Sequence, residues 1–330
     1  MKKPLKVVVT GASGQLAYHA IFRLANGNAF GKDQPIILNM WDLPGCEKVL
    51  EGIAMELDDC CFHLLEQVHY SSDLGQMFDG VDFALLIGSK PRGPGMERGD
   101  LLVQNGKIFV EQGKILNKRA KRSVKVLVVG NPCNTNALVA MSHAPDLKRE
   151  NFHAMLRLDQ NRASAALAKR GKVSVKDVHK MIIWGNHSAS QVPDFTHVDM
   201  NGHGVEQIIK DNKWLRGEFF ELIQKRGAAI IDKLGHSSAA SAGRAAVDAI
   251  ASLWLPTPLD EWFSSAVCSD NNPYGIEKNL IFGFPCRSNG EGNYEIVSDV
   301  SWDLFIKEKI LVTQNELIEE RDCCKNQNLI

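Results

Sequence analysis

Apolar positions in the first half of the chain follow two alternating patterns. Four short apolar runs are present, "LKVVVTG", "PIILNMWDL", "VDFALLIGS" and "SVKVLVVGNP". In other segments, such as "GQLAYHAIFRLANG" and "EGIAMELDDC", apolar residues recur every three or four positions. The runs predict buried strands and the other segments predict amphipathic helices. Strands that alternate with helices predict an α/β fold with a doubly wound parallel sheet.

The pattern changes near residue 153, and we place a domain boundary there, between residues 1–153 and 154–330. After it, "MLRLDQNRASAALAKRG", "GEFFELIQKRGAAIIDKLG" and "SAASAGRAAVDAIASLW" predict helices, and "VHKMIIWGNHS" predicts a strand. The segment "NLIFGFPCRSNGEGNYEIV" contains Asn-Gly and Glu-Gly pairs, which are typical of hairpin turns. The second domain is therefore predicted to be α+β. Its last long helix is predicted to begin near Trp302 and to run into a polar tail.

The segment "TGASGQLA", residues 10–17, links the first predicted strand to the first predicted helix, and we call it the glycine turn. Gly11 and Gly14 permit a tight turn close to a phosphate, and Ala17 lets the helix pack on the strand. The N–H groups and positive dipole of the helix N-terminus favour a pyrophosphate. Asp42, at the end of the second run, can bind ribose hydroxyls and would repel a 2′-phosphate. The first domain is therefore predicted to be a Rossmann domain that binds NAD rather than NADP.

A second glycine-rich segment, "GSKPRGPGMERGD", follows the third apolar run. Its glycines and prolines predict a loop, and ligands bind at the carboxyl ends of strands in sheets of this kind. Arg92 and Arg98 lie in this loop, and their guanidinium groups can form paired hydrogen bonds with carboxylates. The loop is therefore predicted to close over an anionic ligand and to exclude water.

Three polar residues in the second half predict an acid–base site. Asp159 and Arg162, in "LRLDQNRA", share one face of a predicted helix. His187, in "IIWGNHS", follows at a distance that one helix and one strand can span. Asp159 could then fix the tautomer of His187 and stabilise its protonated form, while Arg162 binds a substrate carboxylate nearby. A solvated ion pair and a structural histidine are the alternative interpretations.

The composition narrows the class of protein. Of the 330 residues, 44% are hydrophobic and 23% are charged, and the formal net charge is −1. These values are typical of a globular protein and do not favour binding to nucleic acid or to an acidic membrane. No apolar run is long enough to predict a transmembrane helix. The eight cysteines include no Cys-x-x-Cys pair, so we predict free thiols, no metal site and a cytoplasmic location.

Six ordered motifs together resemble those of the malate dehydrogenases, specifically the branch that includes animal cytosolic enzymes and many bacterial ones. The motifs are "GASGQLAY", "WDLPG", "PRGPGMERGDLL", "VVGNPCNTNAL", "RLDQNRA" and "IIWGNHSASQVPD", and the resemblance covers roughly residues 5 to 320. The resemblance implies reversible oxidation of (S)-malate to oxaloacetate, a reaction of the tricarboxylic acid cycle. It also implies NAD as the cofactor and a homodimer as the assembly.

The resemblance further implies roles for individual residues. His187 would be the proton acceptor and Asp159 its partner. Arg92 would bind the distal carboxylate, Arg98 would polarise the carbonyl, and Arg162 would bind the carboxylate beside the reacting carbon. The other implied substrate contacts are Asn131 and Ser241, and the implied cofactor contacts are Gly11, Ala12, Ser13, Gly14, Gln15, Leu16, Ala17, Asp42, Asn105, Gln112, Val129, Gly130 and Asn131.

The chain departs from the family pattern in three places. Arg92 is followed by Gly93 and Pro94, where the family commonly has two adjacent arginines, and this could change the rate of loop closure. Gln160 stands where a histidine is frequent. Gly106 weakens the helix after the loop by about 1 kcal/mol relative to alanine. Two other functions stay open: an enzyme of the same fold that acts on another 2-oxo acid, and a non-catalytic protein that retains a cofactor fold.

Overall fold

The computed structural model describes residues 2–90 and 98–330, apart from the side chains of Arg98 and Asp100. In this part of the chain no helix combines the length and the apolar composition needed to cross a membrane. The helices are α1 (Gln15–Ala25), α2 (Glu47–Asp59), α3 (Leu74–Met77), α4 (Arg98–Arg119), α5 (Cys133–Ser142), α6 (Arg157–Gly171), α7 (Val205–Ile209), α8 (Asn212–Arg216), α9 (Glu218–Gln224), α10 (Arg226–Leu234), α11 (Ala240–Trp254) and α12 (Leu304–Asn326). The strands are β1 (Leu5–Thr10), β2 (Ile36–Trp41), β3 (Leu65–Ser71), β4 (Phe83–Leu86), β5 (Lys125–Val128), β6 (Phe152–Ala154), β7 (Val178–His179), β8 (Ile182–Trp184), β9 (Val192–Asp194), β10 (Asp199–Met200), β11 (His203–Gly204), β12 (Phe263–Cys268), β13 (Ile281–Gly290) and β14 (Asn293–Ile296).

Nine of the described strands form one sheet, in the spatial order β14-β13-β12-β6-β5-β4-β1-β2-β3. From β3 to β6 the neighbouring strands are parallel, in the order 3-2-1-4-5-6. This order is that of a Rossmann fold, so the predicted fold class is confirmed. The chain order reverses between β1 and β4, and a ligand crevice is expected at the carboxyl ends of these strands.

The first strand illustrates how the sheet is stabilised on both faces. Val7 and Val9 of β1 lie in one apolar core, Val8 lies in the other, and all three side chains are fully buried. Successive residues of a strand point to opposite faces, so a continuous apolar run suits a sheet that is covered on both sides. Full burial of a valine contributes roughly 1.5–3 kcal/mol, which fixes the strand that leads into the glycine turn.

Strands β3 and β6 of the sheet are among those not predicted from the sequence. β3 forms an edge, and its side chains are half-buried or exposed, so it lacks the apolar run that identified its neighbours. β6 has three residues and pairs with β5 on one side and β12 on the other. The predicted boundary at residue 153 therefore lies within a strand that joins the two halves of the sheet. The division of the chain into two domains stays a prediction.

The elements predicted in the second half are present with different bounds. The predicted strand "VHKMIIWGNHS" forms two short strands, β7 and β8, between which Lys180 has a φ of +60°. The helix predicted over "GEFFELIQKRGAAIIDKLG" is divided at Lys225 into α9 and α10. β13 and β14 form an antiparallel hairpin with a register shift between Ser288 and Gly290. The last helix, α12, begins at Leu304, close to the predicted start.

The C-terminal tail packs against the helix that follows the arginine-rich loop. Helix α12 extends to Asn326, and beyond it Leu329 is buried. A Cβ atom at Gly106 of α4 would lie 2.6 Å from Cδ1 of Leu329. Because Gly106 has no side chain, Leu329 can occupy this position. The glycine that weakens α4 and the tail that has no counterpart among the motifs are thus in direct contact.

Candidate active site

The glycine turn connects β1 to α1, as predicted. Gly11 has a φ of +64°, and a Cβ atom there would lie 2.7 Å from Cα of Gly88, beyond the end of β4. Both the left-handed backbone and this close approach require glycine. Helix α1 starts after Gly14, and no side chain caps it there. The first N–H groups of α1 are therefore oriented to bind an anion, and the turn fits a pyrophosphate.

Asp42 lies beside the glycine turn. Its Oδ2 accepts hydrogen bonds from the backbone N–H of Ser13 (2.8 Å) and from the Ser13 hydroxyl (2.6 Å). Its Oδ1 accepts a hydrogen bond from the N–H of Leu43 (2.8 Å). These contacts fix the Asp42 carboxylate next to the turn, and the preference for NAD over NADP stays a prediction.

A buried amide joins the two segments that border the crevice after β4 and β5. Asn105 is fully buried, and its Nδ2 donates to the carbonyl oxygens of Asn131 (2.8 Å) and Lys90 (3.1 Å). Its Oδ1 accepts a hydrogen bond from the N–H of Lys90 (2.8 Å). The side chain of Asn131 is exposed, and a Cβ atom at the preceding Gly130 would lie 2.9 Å from Cβ of Ser89. Asn105 therefore fixes the backbone of the crevice, and its direct contact with a cofactor stays a prediction.

Gln112, on the same helix as Asn105, is buried. Neither its side-chain oxygen nor its side-chain nitrogen has a hydrogen-bond partner among the described residues. Buried amides in native proteins are nearly always paired with protein, water or a ligand. An unpaired amide at this position is compatible with the predicted cofactor contact, which stays a prediction.

His187 lies in the turn that follows β8, residues 185–190, which we call the histidine turn. Its Nδ1 is hydrogen-bonded to Oδ2 of Asp159, in the first turn of α6. The Asp159 carboxylate is fully buried, and 15% of the His187 side chain is exposed. Burial lowers the pKa of His187, but the charge and the hydrogen bond of Asp159 outweigh this effect, so that the pKa is raised above 6.5. The carboxylate thus fixes the ring and favours its protonated form.

The same carboxylate also contacts a guanidinium group. Oδ1 of Asp159 lies 3.5 Å from Nη1 of Arg162, and Nη2 of Arg162 donates to Oγ of Ser238 (3.2 Å). Burial lowers the pKa of Arg162 and the charge of Asp159 opposes the change, but an arginine stays protonated in proteins. The structure therefore brings the imidazole of His187 and the guanidinium group of Arg162 to the two oxygens of one carboxylate.

The other predicted substrate contacts fall in different places. Ser241 is an exposed residue at the start of α11, and with Arg162 it lines a groove of about 1210 Å³ beside α6. Arg92 lies outside the described residues. Helix α4 begins at Arg98, whose side chain also lies outside them. The predicted contacts of these two arginines with a substrate therefore stay predictions.

Sequence reasoning missed a buried residue that holds the histidine turn. Asn134 of α5 accepts a hydrogen bond at Oδ1 from the N–H of His187 (3.0 Å). Its Nδ2 donates to the carbonyl oxygens of Gly185 (3.2 Å) and Ile281 (2.9 Å). The sequence feature that could have indicated Asn134 is the run of three polar residues, "NTN", within a segment that is otherwise apolar.

Gln160, noted above as a departure from the family pattern, has a structural partner. Its Oε1 accepts a hydrogen bond from the N–H of Ser264 in β12 (2.9 Å). The hydroxyl of Ser264 in turn accepts one from the N–H of Ile183 in β8 (2.9 Å). Gln160 therefore connects the helix that carries Asp159 to the strand that leads into the histidine turn.

Comparisons with known proteins agree with the fold described above. Residues 5–153 match the model of the NAD-binding domain of lactate/malate dehydrogenases, and residues 156–328 match that of their α/β C-terminal domain. A malate dehydrogenase of Protochlamydia amoebophila is 54% identical over 98% of this chain and 98% of its own length. A chloroplastic NADP malate dehydrogenase of Pisum sativum is 51% identical over 98% of this chain and 73% of its own length. The crystal structure of the Naegleria fowleri malate dehydrogenase superimposes with a TM-score of 0.95, at 40% identity and over 99% of both chains.

Proposed function

The chain belongs to the lactate/malate dehydrogenase family, and we propose that it is a malate dehydrogenase that reversibly oxidises (S)-malate to oxaloacetate with NAD. The observation that carries the proposal is the contact of one buried carboxylate, Asp159, with both His187 and Arg162. When a hydroxy acid is oxidised, it must lose its hydroxyl proton while its carboxylate stays bound. These two side chains supply a proton acceptor and a carboxylate-binding cation.

In the proposed mechanism, side chains of this protein transfer the proton and stabilise the charge that forms. In the oxidation direction, Nε2 of neutral His187 accepts the hydroxyl proton of malate, and Asp159 stabilises the imidazolium that forms. Bound NAD supplies a nicotinamide ring that accepts the hydride. In the reverse direction, protonated His187 donates to the carbonyl oxygen of oxaloacetate. Proton transfer of this kind contributes roughly 10²–10⁴-fold to the rate.

The choice of NAD rests on Asp42. Its carboxylate is fixed next to the glycine turn by Ser13 and Leu43, so it could not move away from a 2′-phosphate without losing three hydrogen bonds. One relative named above is an NADP enzyme, which makes the coenzyme a question that must be tested for this chain. We expect NADH to be used in strong preference to NADPH.

The choice of malate over lactate rests on Arg92. A second carboxylate that is left unpaired in a closed site costs on the order of 2–5 kcal/mol. An arginine in the loop would pair with the distal carboxylate of oxaloacetate, and pyruvate has no such group. The predicted roles of Arg98 and Asn131 in substrate binding belong to the same proposal.

We further propose a cytoplasmic homodimer with a role in the tricarboxylic acid cycle. Helix α2 supports the dimer, because Val49 and Met55 on it are 51% and 58% exposed. The apolar face of α11 packs within the same chain: a Cβ atom at Gly243 would lie 2.8 Å from Cβ of His19 in α1. We therefore expect α2 to contribute more to the dimer contact than α11.

A steady-state assay tests the function and its substrate. We expect oxaloacetate to be reduced with NADH far faster than pyruvate, and NADPH to support much lower rates. In Arg92→Gln, kcat/KM for oxaloacetate should fall by a factor that corresponds to a loss of about 2–5 kcal/mol of transition-state stabilisation. The rate with pyruvate should change little. Equal losses for both substrates would show that Arg92 does not bind the distal carboxylate. Absence of turnover with oxaloacetate in the wild type would contradict the proposed function.

A further inference from the structure

Helix α12 presents a carboxylate to the histidine turn. Oε2 of Glu316 accepts hydrogen bonds from Nδ2 of Asn186 (2.9 Å), from Oγ of Ser190 (2.5 Å) and from Oγ of Ser188. Asn186 and Ser188 are the two neighbours of His187 in the chain. One carboxylate from the last helix of the protein therefore contacts the residues on both sides of the imidazole.

Glu316 belongs to a row of polar residues on α12. Thr313 is fully buried, and its Oγ1 accepts a hydrogen bond from the N–H of Asn186 (2.9 Å). Glu320 is buried and accepts hydrogen bonds from Nδ2 of Asn186 (3.2 Å) and from the hydroxyl of Thr135. Positions 313, 316 and 320 are three and four residues apart, so they share one face of the helix. Polar residues on this face of α12 thus contact the turn and α5.

Side chains hold the histidine turn together with backbone hydrogen bonds such as that from the N–H of Gly185 to the carbonyl oxygen of Gly283. The backbone N–H of Asn186 donates to the side-chain oxygen of Thr313, and that of His187 donates to the side-chain oxygen of Asn134. Among the described residues, neither N–H donates to a backbone carbonyl of a strand or a helix. Catalytic groups must be held to within about 0.5 Å of their productive position. A displacement of about 1 Å can cost on the order of 10²-fold in rate. The side chains that hold this turn are therefore expected to affect catalysis without touching the substrate.

We propose that Glu316 is a positioning residue for His187, and that its carboxylate holds Asn186 and Ser188 so that the imidazole meets both Asp159 and the substrate. This inference rests on the proposed function, in which His187 transfers the proton. It adds a contribution of the C-terminal helix to a site otherwise assembled from the histidine turn, α5 and α6.

Two substitutions at Glu316 separate positioning from general stability. In Glu316→Ala the three hydrogen bonds are lost, and we expect kcat for oxaloacetate reduction to fall about 10²-fold, with the KM and the Kd for NADH within about 2-fold of wild type. Glu316→Gln keeps an oxygen that can accept from the turn, and we expect it to restore kcat to within about 5-fold of wild type. Glu319→Ala is the matched control, because Glu319 is an exposed carboxylate on the same helix. We expect it to have the wild-type kcat.

The position of the ring can be measured without turnover by NMR of protein labelled with ¹⁵N in its histidines. The ring signals of His187 are assigned by their loss in His187→Asn. We expect them to shift in Glu316→Ala and to be unchanged in Glu319→Ala. If Glu316→Ala does not fold, Ser188→Ala removes one of the three donors, and we expect a smaller shift and a loss of about 5-fold in kcat.

The outcomes separate this inference from the proposed function. A wild-type protein without oxaloacetate turnover, in which Glu316→Ala still shifts the ring signals, would overturn the function and support the positioning role. Ring signals in Glu316→Ala that match those of Glu319→Ala would overturn the positioning role, whatever the value of kcat. A loss of kcat in Glu316→Gln equal to that in Glu316→Ala would also overturn it, because an acceptor oxygen would then have no effect.

Discussion

The glycine turn and the histidine turn lie at the ends of strands, but they are held in different ways. In the glycine turn backbone geometry dominates, because a Cβ atom at Gly11 would lie 2.7 Å from Cα of Gly88, and Asp42 adds hydrogen bonds to Ser13. The histidine turn also contains a glycine at positive φ, Gly185, but its imidazole is held by side chains from three helices, through Asn134, Asp159 and Glu316. The predicted cofactor site is therefore built within the first half of the chain, whereas the predicted acid–base site forms only when α5, α6 and α12 meet the turn after β8.

This difference predicts that the two sites can be damaged separately. A change in the histidine turn should affect the proton transfer and leave NADH binding intact. A change in the glycine turn should weaken NADH binding and leave the imidazole in place. The following three substitutions test this separation, in order of decreasing effect.

His187→Asn should have the largest effect. The side chain keeps a polar group of similar size but cannot exchange the proton, so we expect kcat to fall by about 10²–10⁴-fold. The Kd for NADH, measured by fluorescence titration, should stay within about 2-fold of wild type. His203→Asn is the control, because His203 is an exposed histidine in a hairpin of the second half. A wild-type kcat in His187→Asn would show that the assigned proton acceptor is wrong.

Asp159→Asn should have the next largest effect, and it should depend on pH. The charge of Asp159 raises the pKa of His187 against the opposing effect of burial. In the proposed mechanism the reduction of oxaloacetate needs protonated His187, so the wild-type rate should persist above pH 6.5 and fall as pH rises through the raised pKa. In Asp159→Asn no carboxylate opposes the effect of burial on His187, so the pKa of His187 should drop. The fall in rate should then begin at a lower pH. The loss at neutral pH should be about 10²-fold, since the ring also loses its orientation.

The pH dependence of the rate distinguishes this effect from a loss of fold. The measurement is kcat/KM for oxaloacetate between pH 5 and 10, with NADH saturating, for both proteins. An alkaline limb at the same pH in the wild type and in Asp159→Asn would contradict the assignment of that limb to His187. A limb that moves to higher pH in the variant would contradict the sign of the interaction.

The sequence was sufficient for features in which neighbouring residues determine the structure. The glycine turn could be predicted because the spacing of Gly11, Gly14 and Ala17 has a local geometric cause. The pairing of Asp159 with His187 could be proposed because one helix and one strand separate them. Continuous apolar runs identified β1, β2, β4 and β5, which are covered on both faces, and could not identify the exposed edge strand β3.

The features that were missed depend on tertiary contacts. Asn134 and Glu316 have no recognisable role in the sequence until the fold brings them to the histidine turn. Gly106 could be recognised as unfavourable in a helix. The structure explains the glycine by the close contact with Leu329, which lies more than 200 residues further along the chain. A sequence pattern reports periodicity and turn chemistry, and neither depends on what a polar side chain contacts across the fold.

Gly11→Ala should have the smallest effect on the rate and tests the other side of the comparison. An alanine at a φ of +64° costs about 1–2 kcal/mol, and its Cβ would also displace the backbone at Gly88. We expect the Kd for NADH to rise about 10-fold, which corresponds to about 1.4 kcal/mol. With saturating NADH, kcat and the ¹⁵N signals of His187 should stay close to wild type.

Gly202→Ala is the matched control for Gly11→Ala, because Gly202 has a φ of +80° and no heavy atom within 4 Å of the added Cβ. Both variants should lose a similar part of their free energy of unfolding through the unfavourable φ, as measured by chemical denaturation. Only Gly11→Ala should bind NADH more weakly, because only there does the new side chain meet the backbone that borders the crevice. Equal weakening in the two variants would mean that NADH binding follows overall stability. A shift of the His187 signals in Gly11→Ala would mean that the two turns are coupled, and the separation argued from their different supports would then be wrong.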